Sequence, residues 1–188
     1  RRAYWRRVRA LGFEPGKRVF LDKQPMNTIS LPLIAKLFPT AKVIFAQRDP
    51  RDVVFSCFRH RFQVNAMSWE TLDLERCARF YSAVMDLREL YRAKLGYDEH
   101  TVAYEALVQD FEAECAAVCR FLGVPWNEAM KDFASRAKQG RVATVSGAQI
   151  ARGLFQGGAG QWRRYEDQLT PALRILKPWV ERFGYEVD

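Results

Sequence analysis

The sequence has few of the residues that hold metal ions. It contains only two histidines, His60 and His100, and no C-x-x-C pair. Its four cysteines are Cys57, Cys77, Cys115 and Cys119. Zinc sites in proteins are built from closely spaced Cys and His ligands, so we expect no metal here. The cysteines are instead expected to be free, small core side chains in a reducing compartment, the cytoplasm.

Long apolar segments are also missing. No run reaches the roughly 18 apolar residues of a membrane-spanning helix, and no signal peptide is visible. The chain starts at Arg1 without an initiator methionine, which favours a trimmed or partial polypeptide. With 188 residues, of which 48% are hydrophobic, it is long enough for one domain with a buried core.

Several common catalytic and nucleotide-binding motifs are absent. The chain has no G-x-x-x-x-G-K-S/T element and no G-x-G-x-x-G after a predicted strand. Neither histidine lies in a nucleophile-elbow pattern, which argues against a catalytic triad. A glycine-rich stretch over residues 152–165 could close over a phosphate, or could be a plain flexible loop.

Basic residues outnumber acidic ones by 30 to 22, and the excess is uneven. The first eighteen positions hold Arg1, Arg2, Arg6, Arg7, Arg9, Lys17 and Arg18. Such a surplus suggests an anionic partner, which could be nucleic acid, an acidic membrane or a phosphorylated small molecule. A solvated basic face is the plainer interpretation. The lack of an interleaved basic and aromatic stripe argues against nucleic acid.

Apolar patterns predict an α/β domain with a parallel sheet. Strands are expected at residues 18–22, 42–46 and 100–104, the second of them covered on both faces because it does not alternate. The helices expected between and after the strands cover residues 1–11, 30–38, the segment after Asp49, 72–95, 111–122 and the C-terminus, the last interrupted by Pro178. Residues 139–161 are expected to be a loop.

Three side chains lie at or just after the ends of the predicted strands, at the sheet edge where α/β proteins bind ligands. They are Lys23, Arg48 and Tyr104. Arg48 precedes a helix start in which Asp49 caps and Asp52 lies in the first turn, and Ser56 lies two turns on. Arginine and serine could together hold a phosphate. Alternatively, Arg48 pairs with Asp49 or Asp52 and Ser56 only packs.

The other two side chains also have two interpretations. Lys23 is a mobile charge suited to a transferring anionic group, or a surface lysine beside Asp22. Tyr104 could stack on a base or fill the core.

Five segments, in order over about residues 18–170, resemble a known family. "AKVIFAQRDPRDVVFSCF" is similar to the 3′-phosphate-binding segment of sulfotransferases that use 3′-phosphoadenosine 5′-phosphosulfate (PAPS). "DKQPMN" and "GAGQWRRYEDQL" resemble stretches of its bacterial tetratricopeptide-associated branch. "AYEALVQD" and "FLGVPW" are similar to the family's Y-E-D-L-V and F-L-G-L-P-W.

The resemblance implies a role for each matching residue. Arg48 and Ser56 would bind the 3′-phosphate of PAPS or of its product PAP, and Tyr104 would lie by the adenine. Lys23 would be the catalytic residue near the sulfuryl group. The loop that closes on the nucleotide would contribute Thr144 or Ser146, and Arg152 with Gly153. The implied fold is the three-layer, P-loop NTPase-like sulfotransferase fold.

The chain departs from the family pattern in two ways. It has no histidine where cytosolic members carry a base in K-T-H-L-P. The family's first central strand, its P-R-S-G-S/T-T loop and a candidate base glutamate would precede residue 1. We therefore expect residues 1–188 to be a single partial sulfotransferase domain, inactive alone and completed by the upstream part of the same protein, with tetratricopeptide repeats as a candidate.

Two other functions stay open at this point. One is an ATP-using, P-loop kinase-like fragment, and the other is a non-catalytic basic module that binds anions or nucleic acid. For a sulfotransferase, the acceptor would be a hydroxyl or amine of a small molecule, glycan or peptide, with no nucleic-acid partner. Nothing in the sequence selects among these acceptors.

Overall fold

The computed structural model describes residues 1–14, 16, 19–60, 62–63, 65–139 and 153–187. Nine α-helices lie in this part of the chain. They are α1 (Arg2–Ala10), α2 (Leu31–Leu37), α3 (Pro50–Arg59), α4 (Ala66–Trp69), α5 (Leu74–Leu95), α6 (Tyr104–Gln109), α7 (Phe111–Leu122), α8 (Phe133–Gln139) and α9 (Glu166–Arg182). Short 3-10 turns cover Pro25–Thr28, Glu70–Leu72, Glu128–Asp132, Gln156–Gly158 and Gln161–Tyr165.

Two strands, β1 (Val43–Gln47) and β2 (Glu99–Ala103), pair in a small parallel sheet. The mixed α/β class predicted from the sequence is confirmed, although the described chain is mostly helical. β1 was expected to be covered on both faces, and this is wrong: it is only partly buried, with Ala46 exposed. The three-layer arrangement stays a prediction.

The predicted strand at residues 18–22 is not formed over its described residues, 19–22. Val19 and Leu21 are 53% and 68% exposed. A strand is stable only when its backbone groups pair with a neighbour, and the sheet in the described part of the chain contains only β1 and β2. The apolar pattern alone therefore did not reveal whether a sheet partner is present.

The chain forms two compact units. The first comprises Arg1–Val43 and Val84–Asp98. Its α1 places Tyr4 and Trp5 against Phe20 and Phe38 with ring centroids 5.1–6.5 Å apart. The Tyr4 hydroxyl donates to Asp22 at 2.5 Å. Edge-to-face aromatic packing of this kind anchors α1 through one face.

The arginines at the start of the chain are exposed, although the Arg1 guanidinium also lies 5.6 Å from the centroid of the Phe38 ring. Arg1, Arg2, Arg6, Arg7 and Arg9 are exposed, whereas Val8 is buried. This division is the ordinary amphipathic pattern of a surface helix. The arrangement fits the solvated-face interpretation of the basic cluster without requiring a partner.

The second unit comprises Ile44–Ala83 and Glu99–Asp188, and α9 packs against α3 there. Its main apolar cluster contains Val54, Cys77, Ala78, Ala172, Leu176 and Val180. A neighbouring cluster contains Phe55, Trp162 and Leu169. Because both clusters include α3 residues, they fix the helix that begins at the charged motif.

Helix ends in this unit follow local rules. The Asp49 side chain caps α3 by accepting from the Arg51 amide at 2.9 Å, and Pro50 is the first helical residue. Asp110 caps α7, which ends at Gly123 in the left-handed conformation with φ +76°. Both predicted helix starts and the end of α7 are confirmed.

The predicted interruption of the last helix at Pro178 is wrong. α9 continues through Pro171 and Pro178 as one helix. Proline removes a backbone donor and normally breaks or kinks a helix. Here Leu176, Trp179 and Val180, next to Pro178, are buried in the core, and their packing keeps the helix continuous.

All four cysteines are free, and Cys77 and Cys119 are buried. Burial, with a smaller contribution from Cys57, raises the pKa of the Cys77 thiol to about 12.

No helix in the described residues is both long and apolar enough to span a membrane.

Candidate functional site

The carboxyl ends of the two parallel strands place four polar side chains at one sheet edge. β1 ends at Gln47 and is followed by Arg48 and Asp49, while β2 ends at Ala103 and is followed by Tyr104 and Glu105. Tyr104 was predicted to end the strand, but it is the first residue of α6. Ligands of open α/β sheets bind at this edge. We call Arg48, Asp49, Tyr104 and Glu105 the charged edge.

Asp49 is fully engaged by Arg51. The Arg51 guanidinium donates to both carboxylate oxygens, from Nε to Oδ1 at 3.0 Å and from Nη2 to Oδ2 at 2.8 Å. Both residues are only 6% exposed. This two-point geometry is the strong form of an arginine–carboxylate pair. Asp49 and Arg51 thus form an ion pair within the start of α3.

Asp52 is engaged by the backbone of a distant segment. Its carboxylate is 0% exposed and accepts from the amides of Gly160 at 2.6 Å and Trp162 at 3.0 Å. Burial raises the pKa of Asp52, while the amides of Trp162 and Gly160 and the Arg48 charge act in the opposite direction. Asp52 therefore ties α3 to the segment Gly153–Tyr165, which we call the glycine-rich segment.

Arg48 forms no ion pair with a carboxylate in the described part of the chain. It donates instead to the carbonyl of Gly158, and its guanidinium carbon lies 5.1 Å from the centroid of the Tyr104 ring. Its Nε is buried and has no hydrogen-bond partner among the described residues. A buried guanidinium donor normally has an acceptor, so this atom could bind an anionic oxygen.

Tyr104 completes the contacts between the charged edge and the glycine-rich segment. Its hydroxyl donates to the carbonyl of Phe155. Burial raises the pKa of Tyr104, with Arg48 and the Gly158 amide acting in the opposite direction. A Cβ atom at Gly158 would overlap the Tyr104 hydroxyl and ring, so only glycine fits this close approach.

Glu105 links the charged edge to the C-terminal residues. Its Oε1 accepts from the Asp49 amide at 3.3 Å, and its Oε2 accepts from the Tyr185 hydroxyl at 2.8 Å. Burial and this carboxylate raise the pKa of Tyr185. Glu105 thereby holds the start of α3 beside the end of β2.

The other predicted site residues lie in different places. Ser56 is half-buried on α3, with its hydroxyl 3.4 Å from Nδ1 of His60. Lys23 is exposed in the first unit, just before the 3-10 turn Pro25–Thr28. Gly153 has φ +105°, a conformation that favours glycine. Thr144, Ser146 and Arg152 lie outside the described residues.

The structure thus brings together Arg48 and Tyr104 of the predicted set, and it adds partners that the sequence did not reveal. Asp52 contacts residues more than a hundred positions away, at Gly160 and Trp162. Arg51 lies 3.9 Å from the Trp162 ring centroid. The short string R-D-P-R-D showed the charges, but no local signal distinguishes an aspartate that caps a helix from one that binds a remote loop.

This edge has the character of an anion site in an α/β protein. Comparison of the sequence with known protein families agrees with that class. A model of the sulfotransferase family matches residues 2–128, which is most of the chain. The chain belongs to the sulfotransferase family.

Curated relatives share moderate similarity with the chain. An uncharacterized protein of Aquifex aeolicus (strain VF5) is 26% identical over 84% of this chain and 20% of its own length. Protein-tyrosine sulfotransferase of Drosophila melanogaster is 28% identical over 62% of the chain and 23% of its own length. Protein-tyrosine sulfotransferase 1 of Danio rerio is 28% identical over 88% of the chain and 48% of its own length. The chain thus spans between a fifth and a half of these relatives.

Proposed function

We propose that the full-length protein transfers a sulfuryl group from PAPS to a hydroxyl or amine acceptor. In this proposal the charged edge binds the nucleotide end of the donor. The observation that carries it is the position of Arg48, at a strand end with a buried Nε that has no acceptor among the residues the structure describes. Membership of the sulfotransferase family supplies the reaction class.

The charged edge and the adjoining first turn of α3 suit a phosphate because their carboxylates already have partners, including Glu105, which accepts from the Tyr185 hydroxyl. Asp49 is paired with Arg51, and Asp52 accepts two backbone amides. Arg48 is therefore the cation without a carboxylate partner at the described edge, and it can donate to phosphate oxygens from a planar fork. Ser56 would add a hydroxyl donor to the same 3′-phosphate.

The roles at the adenine and in the closing loop follow from the resemblance of these segments to the family. Tyr104 would lie against the adenine, since its ring already lies beside the Arg48 guanidinium at this edge. Gly153, and Thr144 or Ser146 with Arg152, would come from the loop that closes on the nucleotide. PAPS supplies the sulfuryl group when bound, and PAP is the product.

Lys23 is proposed as the catalytic residue contributed by this chain. Its ammonium would lie near the sulfuryl group and stabilise negative charge as it moves onto the bridging oxygen. The chain has no histidine at the expected position for a base, so the base is proposed to come from the upstream part of the protein. The residues named here require no metal.

The acceptor proposed first is a tyrosine hydroxyl in a peptide. Two of the relatives are named protein-tyrosine sulfotransferases, and a phenol is one of the hydroxyl acceptors this chemistry can use. Glycans and small molecules are the other candidates. The upstream part of the same protein, in the tetratricopeptide-associated branch, is the proposed partner, and the free cysteines favour the cytoplasm.

The proposal is tested by following transfer of a radioactive sulfuryl group from PAPS with the full-length protein. A tyrosine peptide should be labelled and the matching phenylalanine peptide should not. We expect Lys23→Ala to lower kcat by about a hundredfold while PAP affinity changes less than about twofold, because Lys23 acts at the transferring group. Lys36→Ala, another exposed lysine of the first unit, is the control and should behave as wild type.

Two outcomes would count against this proposal. Transfer of labelled phosphate from ATP, with none of sulfuryl from PAPS, would instead support a kinase-like enzyme. Equal kcat values for wild type and Lys23→Ala would remove Lys23 from the reaction.

A further inference from the structure

Asp52 is a buried charge with no role in the proposed chemistry. It is fully inaccessible to solvent, and a buried carboxylate is costly unless it is well hydrogen-bonded. Its two oxygens accept from two amides of one remote segment, Oδ2 from Gly160 and Oδ1 from Trp162. A carboxylate placed this way does more than start a helix.

The segment that Asp52 holds is the one that contacts the charged edge. Gly158 and Phe155 offer their carbonyls to Arg48 and Tyr104, only a few residues before the two amides that Asp52 binds. Gly160, with φ +69°, turns the chain between these carbonyls and Trp162. The position of the glycine-rich segment relative to α3 therefore sets where Arg48 and Tyr104 are held.

A second contact from the same helical turn supports this fastening. The Arg51 guanidinium packs 3.9 Å from the Trp162 ring centroid, and Trp162 is only 1% exposed. Asp49 orients that guanidinium through both carboxylate oxygens. Side chains in the first turn of α3 thus hold the glycine-rich segment at two kinds of group. Asp52 binds its backbone amides, and Arg51 packs on its Trp162 side chain.

We propose that Asp52 is a positioning residue for the donor site, fixing the glycine-rich segment against α3 so that Arg48 and Tyr104 are preorganised for a nucleotide that carries a 3′-phosphate. This inference rests on the proposed function. Asp52 itself does not touch the nucleotide. Preorganisation matters because a guanidinium held in place loses less freedom when it binds an anion.

The chemistry of the carboxylate explains why asparagine would not substitute. Both amides need an acceptor, and the carboxylate offers one oxygen to each. In Asp52→Asn, the side-chain NH2 would face one of the two amide donors. One amide then loses its partner while the volume of the side chain is unchanged.

The experiment compares wild type, Asp52→Asn and the control Asp167→Asn in the full-length protein. Asp167 is an exposed carboxylate in the first turn of α9. Affinities for PAP and for adenosine 5′-monophosphate (AMP) give a selectivity ratio, which a general loss of folded protein would not change. We expect Asp52→Asn to lower that ratio by about tenfold, the size of one hydrogen bond to a charged group. The control should keep the wild-type ratio.

Hydrogen exchange supplies a readout that does not depend on activity, and its wild-type measurement does not depend on the folding of a variant. In wild type without nucleotide, the amides of Gly160 and Trp162 should be as protected as the buried part of α9. In Asp52→Asn, a peptide covering residues 158–163 should exchange faster while one covering residues 172–180 does not. If these two amides are unprotected in wild type, Asp52 does not hold the glycine-rich segment.

The outcomes separate this inference from the proposed function. If wild type does not prefer PAP over AMP, the proposed function fails, and hydrogen exchange still tests the role of Asp52 in holding the segment. If wild type prefers PAP and Asp52→Asn keeps the same preference, Asp52 is not a positioning residue.

Discussion

Replacing Arg48 with alanine is expected to weaken PAP binding by about a hundredfold, the usual cost of removing one partner of a close charged pair. AMP, which lacks the 3′-phosphate, should bind within about twofold of wild type. The reason is the geometry at the end of β1, where the buried Nε of Arg48 has no acceptor in the described ranges and the nearby carboxylates are bound by other groups. Titration calorimetry with both nucleotides measures the two affinities.

Two further variants make this result specific. Arg48→Lys should recover only part of the affinity, because an ammonium keeps the charge but not the planar fork of donors. Arg59→Ala removes an exposed arginine from the last turn of α3 and should leave both affinities unchanged. Equal losses of PAP and AMP affinity in Arg48→Ala would show a general disturbance and no recognition of the 3′-phosphate.

Replacing Trp162 with alanine is expected to lower the free energy of unfolding by about 3–5 kcal/mol, as for other large buried side chains. Trp162 is 1% exposed and packs in one apolar cluster with Phe55 and Leu169. The Arg51 guanidinium also packs on its ring. The substitution removes all of these contacts and leaves a cavity between α3 and α9.

Trp69→Ala is the matched control for this prediction. Trp69 is 53% exposed on α4, so its loss should change the free energy of unfolding by less than about 0.5 kcal/mol. Urea unfolding followed by circular dichroism measures both variants against wild type. If the two tryptophan variants are equally stable, the described core around Trp162 is wrong.

The parts of the fold that depend on neighbouring residues could be predicted from the sequence. Asp49 and Pro50 start α3, and Asp110 and Gly123 bound α7, because capping and left-handed glycine are properties of a few consecutive residues. The position of Arg48 at a sheet edge followed from the strand that precedes it. Tyr104 was predicted at the correct edge of the sheet, although it begins a helix.

Features that depend on distant contacts could not be predicted. The pattern at residues 19–22 was apolar enough for a strand, yet strand formation needs a partner that local sequence does not reveal. Pro178 predicted an interruption that packing around Leu176 prevents. The sequence predicts that Asp52 favours the first turn of α3 or pairs with Arg48. It does not reveal the observed partners, Gly160 and Trp162, because they are more than a hundred residues away.

The most direct test of the central claim is the nucleotide preference of the wild-type protein. Titration calorimetry of the full-length protein with PAP, AMP and ATP compares three ligands that share adenine and differ in their phosphates. A donor site that recognises the 3′-phosphate predicts that PAP binds at least about tenfold more tightly than either of the others. Binding of ATP that equals or exceeds that of PAP would contradict the account.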